Sequence, residues 1–338
     1  MNPARLGSAS RTAAGDAPEH RLVVALSGGI GGAKLALGLS RIVDARDLLI
    51  VANTGDDFEH LGLAISPDLD TLMYTLAGRN NEETGWGRRD ETWRFMAALE
   101  ELGGETWFKL GDTDLATNIE RTRRLKAGDT LADITDDFCR RLGIDVRIVP
   151  MSNDPVRTRV RTPLGWLDFQ DYFVRRQCAP SVDAFEFRGV DMAVALPDFV
   201  AALRDPSLRA VIVCPSNPYI SIDPILALPG IRHALEQCAA PVVAVSPIIG
   251  GKAVKGPTAK MMRELGFTVT AQTVADHYAA FLDGYVVDEV DAAALHLDGA
   301  KVLATRTLMQ TLEDRSRLAD EVLKFADTLS TVTKGESS

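Results

Sequence analysis

Leu22-Val23-Val24-Ala25-Leu26-Ser27-Gly28-Gly29-Ile30-Gly31-Gly32-Ala33-Lys34 is the stretch that decides the fold of this chain. An apolar run stops at four closely spaced glycines, and a helix-like pattern follows. That reads as a strand, a glycine-rich turn and a helix start, the place where α/β proteins hold phosphates. Glycine permits positive φ and lets N–H groups approach an anion with no Cβ in the way, while Lys34 adds a mobile positive charge. Gly28, Gly29, Gly31, Gly32 and Lys34 are therefore candidate phosphate-binding residues.

The spacing fits neither of the two commonest phosphate loops. A Walker A loop needs Gly-x4-Gly-Lys-Ser/Thr, and here Ala33 stands at the second glycine and Leu35 at the magnesium-binding hydroxyl. A dinucleotide-binding loop needs Gly-x-Gly-x-x-Gly, but Gly29-Ile30-Gly31 runs on to Lys34. The second apolar run, Leu48 to Asn53, also ends in a neutral residue where a dinucleotide fold places an acid on the ribose. Both features disfavour a nicotinamide-dependent oxidoreductase.

Working outward, 338 residues with 46% hydrophobic and 25% charged side chains describe a globular chain of one large or two ordinary domains. A net charge of −10 argues against nucleic acid or an anionic membrane as partner, so anionic ligands must be met by local sites. Cys139, Cys178, Cys214 and Cys238 form no Cys-x-x-Cys pair, which points away from zinc and redox chemistry. Residues 1–20 carry no apolar signal core, and no run approaches the roughly 20 apolar residues of a membrane span. The expectation is a flexible leader over 1–20 on a cytoplasmic protein.

Short β-branched runs recur at Leu22–Leu26, Leu48–Asn53, Val146–Val149, Ala210–Cys214, Val242–Ser246 and Tyr285–Asp288, with helical patterns between them. This alternation predicts a doubly wound, mainly parallel, Rossmann-like α/β sheet. The core is expected over 21–304, with a C-terminal helix and tail over 305–338. Between about 88 and 200 the alternation breaks into three consecutive helices and then Val156–Thr162 and Trp166–Val174 around Pro163-Leu164-Gly165, a β-hairpin pattern. That range is expected to form an inserted helical and hairpin subdomain covering one side of the cleft.

Asn53-Thr54-Gly55-Asp56-Asp57 lies just past the second strand, at the carboxyl edge where open α/β sheets bind ligands, and Ser66-Pro67-Asp68-Leu69-Asp70-Thr71 follows within fifteen residues. Carboxylates beside a polyphosphate repel it unless a cation lies between, so the pattern implies Mg²⁺. Asp68 and Asp70 also suit helix capping. Two residues apart on a helix they point in different directions, which leaves one to face the cleft. Asp70 is the expected one, with Asp57 across from it as the second metal ligand, and Asp56 serving a cap or turn.

Lys109-Leu110-Gly111-Asp112-Thr113-Asp114 reads equally as a turn with Asp112 capping a helix and as a site in which Lys109 meets phosphate or a polar ring oxygen, with Asp114 and Asn118 on one helical face. Pro215-Ser216-Asn217-Pro218 and Ser246-Pro247-Ile248-Ile249-Gly250-Gly251-Lys252 both follow strands. Ser216, Asn217 and Ser246 offer groups suited to a base or ribose, and Gly250 and Gly251 with Lys252 and Lys255 suit an anion. The five histidines make no metal pair, and no serine nucleophile elbow is present. Trp86 and Trp93, with Arg88 and Arg89, suit either packing or stacking on a flat heterocycle.

Taken in order, the glycine loop, the Asn53–Asp57, Ser66–Thr71 and Lys109–Thr117 motifs and the two later loops resemble the 2-phospho-L-lactate transferase family across about residues 22–290. The resemblance implies a Mg²⁺-dependent enzyme of deazaflavin coenzyme F-420 biosynthesis. Such an enzyme moves a phospholactyl-type group (2-phospholactate, phosphoenolpyruvate or phosphoglycerate) from a guanosine diphosphate-linked donor to the ribityl hydroxyl of the deazaflavin Fo, releasing GMP. It implies Asp57 and Asp70 at the metal or the acceptor hydroxyl and Lys109 beside the deazaflavin. The glycine loop, Asn53, Asp68, Asp112, Ser216, Asn217, Ser246, Gly250 and Gly251 are then the substrate-binding residues. The family often has His where this chain has Asn118, which leaves hydrogen bonding but no titration at that position. A homodimer is expected for an enzyme of this size. The competing reading is a nucleotide-sugar-binding regulator of the same fold, against which the Ser66–Thr71 and Lys109–Asp114 motifs count.

Overall fold

The protein is described by a computed structural model over residues 21–330, so the expected leader and the tail beyond residue 330 lie outside the described residues. Seven strands form one sheet: β1 (Leu22–Ser27), β2 (Leu48–Ala52), β3 (Arg147–Pro150), β4 (Leu208–Val213), β5 (Val242–Val245), β6 (Gly284–Asp288) and β7 (Lys301–Thr305). Their order is β7-β6-β5-β4-β1-β2-β3, and every neighbouring pair is parallel. This is the doubly wound order, with the reversal between β1 and β4.

β1 lies at the centre, with Leu26 beside Val51 of β2 and Val213 of β4. Strands covered on both faces need apolar residues at successive positions, which is why β1, β2 and β5 read as continuous apolar runs. Val24 and Leu26 pack on one side with Phe199 and Ile222. Val23 and Ala25 pack on the other with Leu35 and Leu39 of helix α1 (Gly29–Ile42). β7, absent from the sequence reading, is an edge strand whose residues are largely exposed and whose apolar run is only Val302-Leu303-Ala304.

Two further helices, α2 (Pro67–Leu76) and α3 (Asp112–Ala127), carry site residues, and α4 (Leu312–Ser330) closes the sheet face beside α1. A Cβ on Gly38 would lie 2.1 Å from the Arg315 carbonyl oxygen, so α1 and α4 approach as closely as backbones allow. Gly38→Ala should force the helices apart and cost about 1–3 kcal/mol. Urea denaturation of the two proteins reads that difference.

The 88–200 range makes two excursions, because the chain returns to the central sheet at β3, which pairs with β2. The first is helical. The second is a three-stranded antiparallel sheet of Arg157–Thr162, Gly165–Asp168 and Ala184–Arg188. The expected hairpin forms, with Gly165 at φ +94°, but its second strand stops at Asp168 and the chain turns helical over Asp171–Arg175. Phe169 and Tyr172, three apart, are both buried, and helical spacing takes over from alternation there.

Candidate active site

A cavity of about 600 Å³ opens where the strand order reverses. The glycine loop after β1 and the loop after β4 form its floor. The close approach of these loops explains two glycines. A Cβ on Gly31 would lie 2.2 Å from the Pro215 carbonyl oxygen, and one on Gly32 would lie 2.6 Å from Ser216 Oγ. Ser216 Oγ in turn donates to the Gly28 carbonyl at 2.7 Å. Gly31 thus lets two backbones approach and Gly32 makes room for the Ser216 hydroxyl, and Gly28, Gly29 and Gly31 line the cavity while Gly32 is buried behind it.

The Gly29 N–H, at φ +62° on the first turn of α1, donates to Asp68 Oδ1 at 2.8 Å. Asp68 therefore caps α1 and not its own helix. Its other oxygen accepts from Asn53 Nδ2 at 2.9 Å, while Asn53 Oδ1 accepts from the Gly55 N–H at 2.8 Å. Asn53 is fully buried and does not line the cavity, and it organises these two turns.

Asp68 and Asp70 both line the cavity, where the sequence reading allowed only one. The cavity wraps the N-terminal end of α2, so both first-turn side chains meet it. Asp56 and Asp57 exchange their expected places. Asp56 lines the cavity, and its Oδ1 is buried without a hydrogen-bond partner. Asp57 turns inward, its Oδ2 accepting from Ser66 Oγ at 2.8 Å, and does not line the cavity. Asp70 is clamped at both oxygens by Arg121, at 3.1 Å from Nη1 to Oδ2 and by a second hydrogen bond from Nη2 to Oδ1.

Arg121 was not singled out in the sequence, although it falls on the face of α3 that carries Asp114 and Asn118. It is only 1% exposed. Asn118 Oδ1 accepts from Arg121 Nη1 at 2.8 Å, so Asn118 orients the guanidinium that holds Asp70. Asp114 lines the cavity, and its Oδ1 accepts from the Tyr74 hydroxyl at 2.7 Å. Lys109 stands exposed at the cavity rim. Asp112 does not reach the cavity. Its carboxylate accepts from the Arg94 and Phe95 N–H groups and the Thr92 hydroxyl, capping the helix Arg94–Glu101, whose first N–H groups have no other partner.

Ser216, Asn217 and Ser246 line the cavity as expected. Gly250 and Gly251 do not: at φ +55° and +70° they make the tight turn between the paired segments Ile248–Ile249 and Lys252–Ala253. The residues just after that turn reach the cavity instead, Lys255 and Gly256 among them. Lys34 lines it too, donating to the Met309 carbonyl at 2.9 Å. Trp107, Phe108, Phe169 and Phe173 give the opposite wall an aromatic surface, and the Arg175 guanidinium lies 5.8 Å above the Trp107 ring.

Burial pushes Asp57 up to about 7 and Asp68 and Asp114 up to about 6. Asp56 is raised well above the carboxylate range by burial and then by the charge of Asp68. Asp70 is raised by burial against the opposing pull of Arg121. In the folded chain Asp57 keeps its proton to about pH 7. The unfolded chain releases it near pH 4, about its ordinary value. Its contribution to stability is thus full below about pH 4 and is lost as pH rises through the folded value. The stability of the wild type relative to Asp57→Asn should fall between those limits, measured by urea denaturation across the range.

A family model for 2-phospho-L-lactate transferase CofD matches residues 23–325. The phosphoenolpyruvate transferase of Kitasatospora aureofaciens is 41% identical over 315 residues, covering 90% of this chain and 98% of that protein. The 2-phospho-L-lactate transferase of Methanosarcina acetivorans is 40% identical over 311 residues, covering 91% and 100%. Among solved structures, a UPF0052 family protein from Bacillus halodurans superposes with a TM-score of 0.60 at 14% identity, over 91% of this chain and all of that one, a likeness of fold. No helix among the described residues is long and apolar enough to cross a membrane.

Proposed function

Since the chain belongs to the 2-phospho-L-lactate transferase family, we propose that it transfers a phospholactyl-type group from a guanosine diphosphate-linked donor to the ribityl hydroxyl of Fo, releasing GMP. The observation that carries the reading is the cavity at the β1/β4 reversal, which joins a buried carboxylate cluster to a cationic end and an aromatic wall. A flat tricyclic acceptor suits the aromatic wall, and a diphosphate suits Lys34 and Lys255.

The residues present fit Mg²⁺, with Asp56 and Asp68 in the place first given to Asp57 and Asp70. Asp56 has a buried oxygen lacking a partner and a charge that repels Asp68, an arrangement that a divalent cation relieves. Asp56 and Asp68 would hold the ion, which would neutralise phosphate charge there. The acceptor hydroxyl oxygen bonds to phosphorus as the bond from phosphorus to the GMP oxygen breaks, and the hydroxyl proton leaves to a carboxylate. Asp70 is held by Arg121 and Asp57 is walled off, which leaves Asp114, fixed at one oxygen by Tyr74, as the acceptor of that proton. Transfer is direct, so no phospholactylated enzyme should be trapped on rapid quenching. Calorimetry with GDP, Fo and a uridine diphosphate sugar tests the ligand set: GDP and Fo should bind, and binding of the sugar nucleotide alone would favour the regulator.

A further inference from the structure

Arg315 is a buried cation without a settled counter-ion. It stands in the first turn of α4, 7% exposed, where the positive end of the helix dipole disfavours a cation. Its Nε is buried without a hydrogen-bond partner. The acidic neighbour Asp314 is spent on the N–H groups of Gln310 and Thr311. What faces Arg315 is Glu82, at 3.7 Å from Nη2, on a side chain that is 75% exposed. Such pairs are weak and readily replaced.

The surroundings are positive as well. Lys34 lies one helical turn before Gly38, the point where α1 meets the Arg315 backbone. Burial, then the charges of Arg315 and Lys255, hold Lys34 below its usual value. Lys255 is tied to the same loop as Glu82, donating to the Thr84 carbonyl at 3.4 Å. That loop folds on itself, the Asn81 N–H donating to the Gly87 carbonyl at 3.1 Å, and Trp86 and Gly87 line the cavity. At Gly85 a Cβ would lie 2.8 Å from Ile30 Cδ1 in the glycine loop. The loop thus rests on Arg315, Lys255 and Ile30, and Lys34 feels the charge of Glu82.

We propose that residues 81–87 form a strap over the cationic end of the cavity, and that Glu82 is an exchangeable counter-ion whose charge an anionic diphosphate at Lys34 and Lys255 replaces in the field of Arg315. Naming a nucleoside diphosphate as that anion rests on the transferase reading; the strap itself rests on the Glu82–Arg315 pair and the Lys255 hydrogen bond. Arg315 does not line the cavity and acts beside Lys34, strengthening the field felt there.

Calorimetric titration of the full chain with GDP, and in parallel with pyrophosphate, tests this in a double-variant cycle. Glu82→Gln should bind about two- to five-fold more tightly, the worth of an exposed ion pair that no longer competes. Arg315→Met should bind about tenfold more weakly, and in that background Glu82→Gln should have no effect. Unchanged or weaker binding by Glu82→Gln, or equal tightening with and without Arg315, overturns the strap. Pyrophosphate obeying the cycle while GDP fails to bind keeps the strap and removes the guanosine donor. Binding of neither removes both.

Discussion

Asp56→Asn is expected to cut transfer on the order of a hundred- to a thousand-fold while leaving the fold intact. Asp56 is the cavity carboxylate with an unpartnered buried oxygen, and burial, then the charge of Asp68, raise its proton affinity. Neutralising it removes half of the proposed cation-binding pair, and electrostatic stabilisation of the reacting phosphate is the largest single contribution such a site makes. It also replaces a carboxyl whose ionised form burial and Asp68 disfavour, so the ligand-free variant should melt no lower than the wild type. Asp57→Asn, by contrast, should leave the rate within about tenfold, because Asp57 faces Ser66 behind the wall. Steady-state rates of the two variants across a Mg²⁺ titration separate these outcomes, and an inactive Asp57→Asn beside a fully active Asp56→Asn would reverse the assignment.

The largest loss of stability is expected from Arg121→Met. The guanidinium is buried against an equally buried Asp70, and Asn118 and the Ala64 carbonyl take further hydrogen bonds from it. Removing one member of a buried pair leaves the other charge without compensation, which costs about 3–5 kcal/mol. Burial already favours protonation of Asp70, so the variant should also become relatively more stable as pH falls. Asp70→Asn combined with Arg121→Met should recover much of the loss, since no charge then remains to be stranded. Urea denaturation of the four proteins reads the coupling; additive losses would show that Arg121 acts through packing alone.

These contrasts mark where the sequence was legible. The parallel sheet could be read from apolar runs because a strand buried on both faces must be apolar at every position. The glycine loop could be read because a Cβ at Gly31 would lie 2.2 Å from the Pro215 carbonyl oxygen, which excludes any side chain there. The reason was legible only in part: the Gly31 approach is to Pro215, 184 positions along the chain, and the Gly29 N–H meets Asp68 in place of a ligand. Adjacent acids were beyond reach, since one residue of rotation at the Asn53–Asp57 turn decides whether Asp56 or Asp57 faces the cavity. Asp112 and Asn53 read as ligands because capping and ligand contact use the same residue types. Arg121 and Arg315 left no signal, as each acquires its meaning from a partner on another element.

The central claim is that one cavity joins Fo to a guanosine diphosphate-linked donor, and mass spectrometry of the products tests it most directly. Fo, Mg²⁺ and each of the phospholactyl, phosphoenolpyruvyl and phosphoglyceryl donors are incubated with the enzyme. With at least one donor, Fo should gain the mass of the phosphorylated acyl group as an equal amount of GMP appears. Unmodified Fo with all three donors, in a protein that binds a uridine diphosphate sugar, would contradict the account.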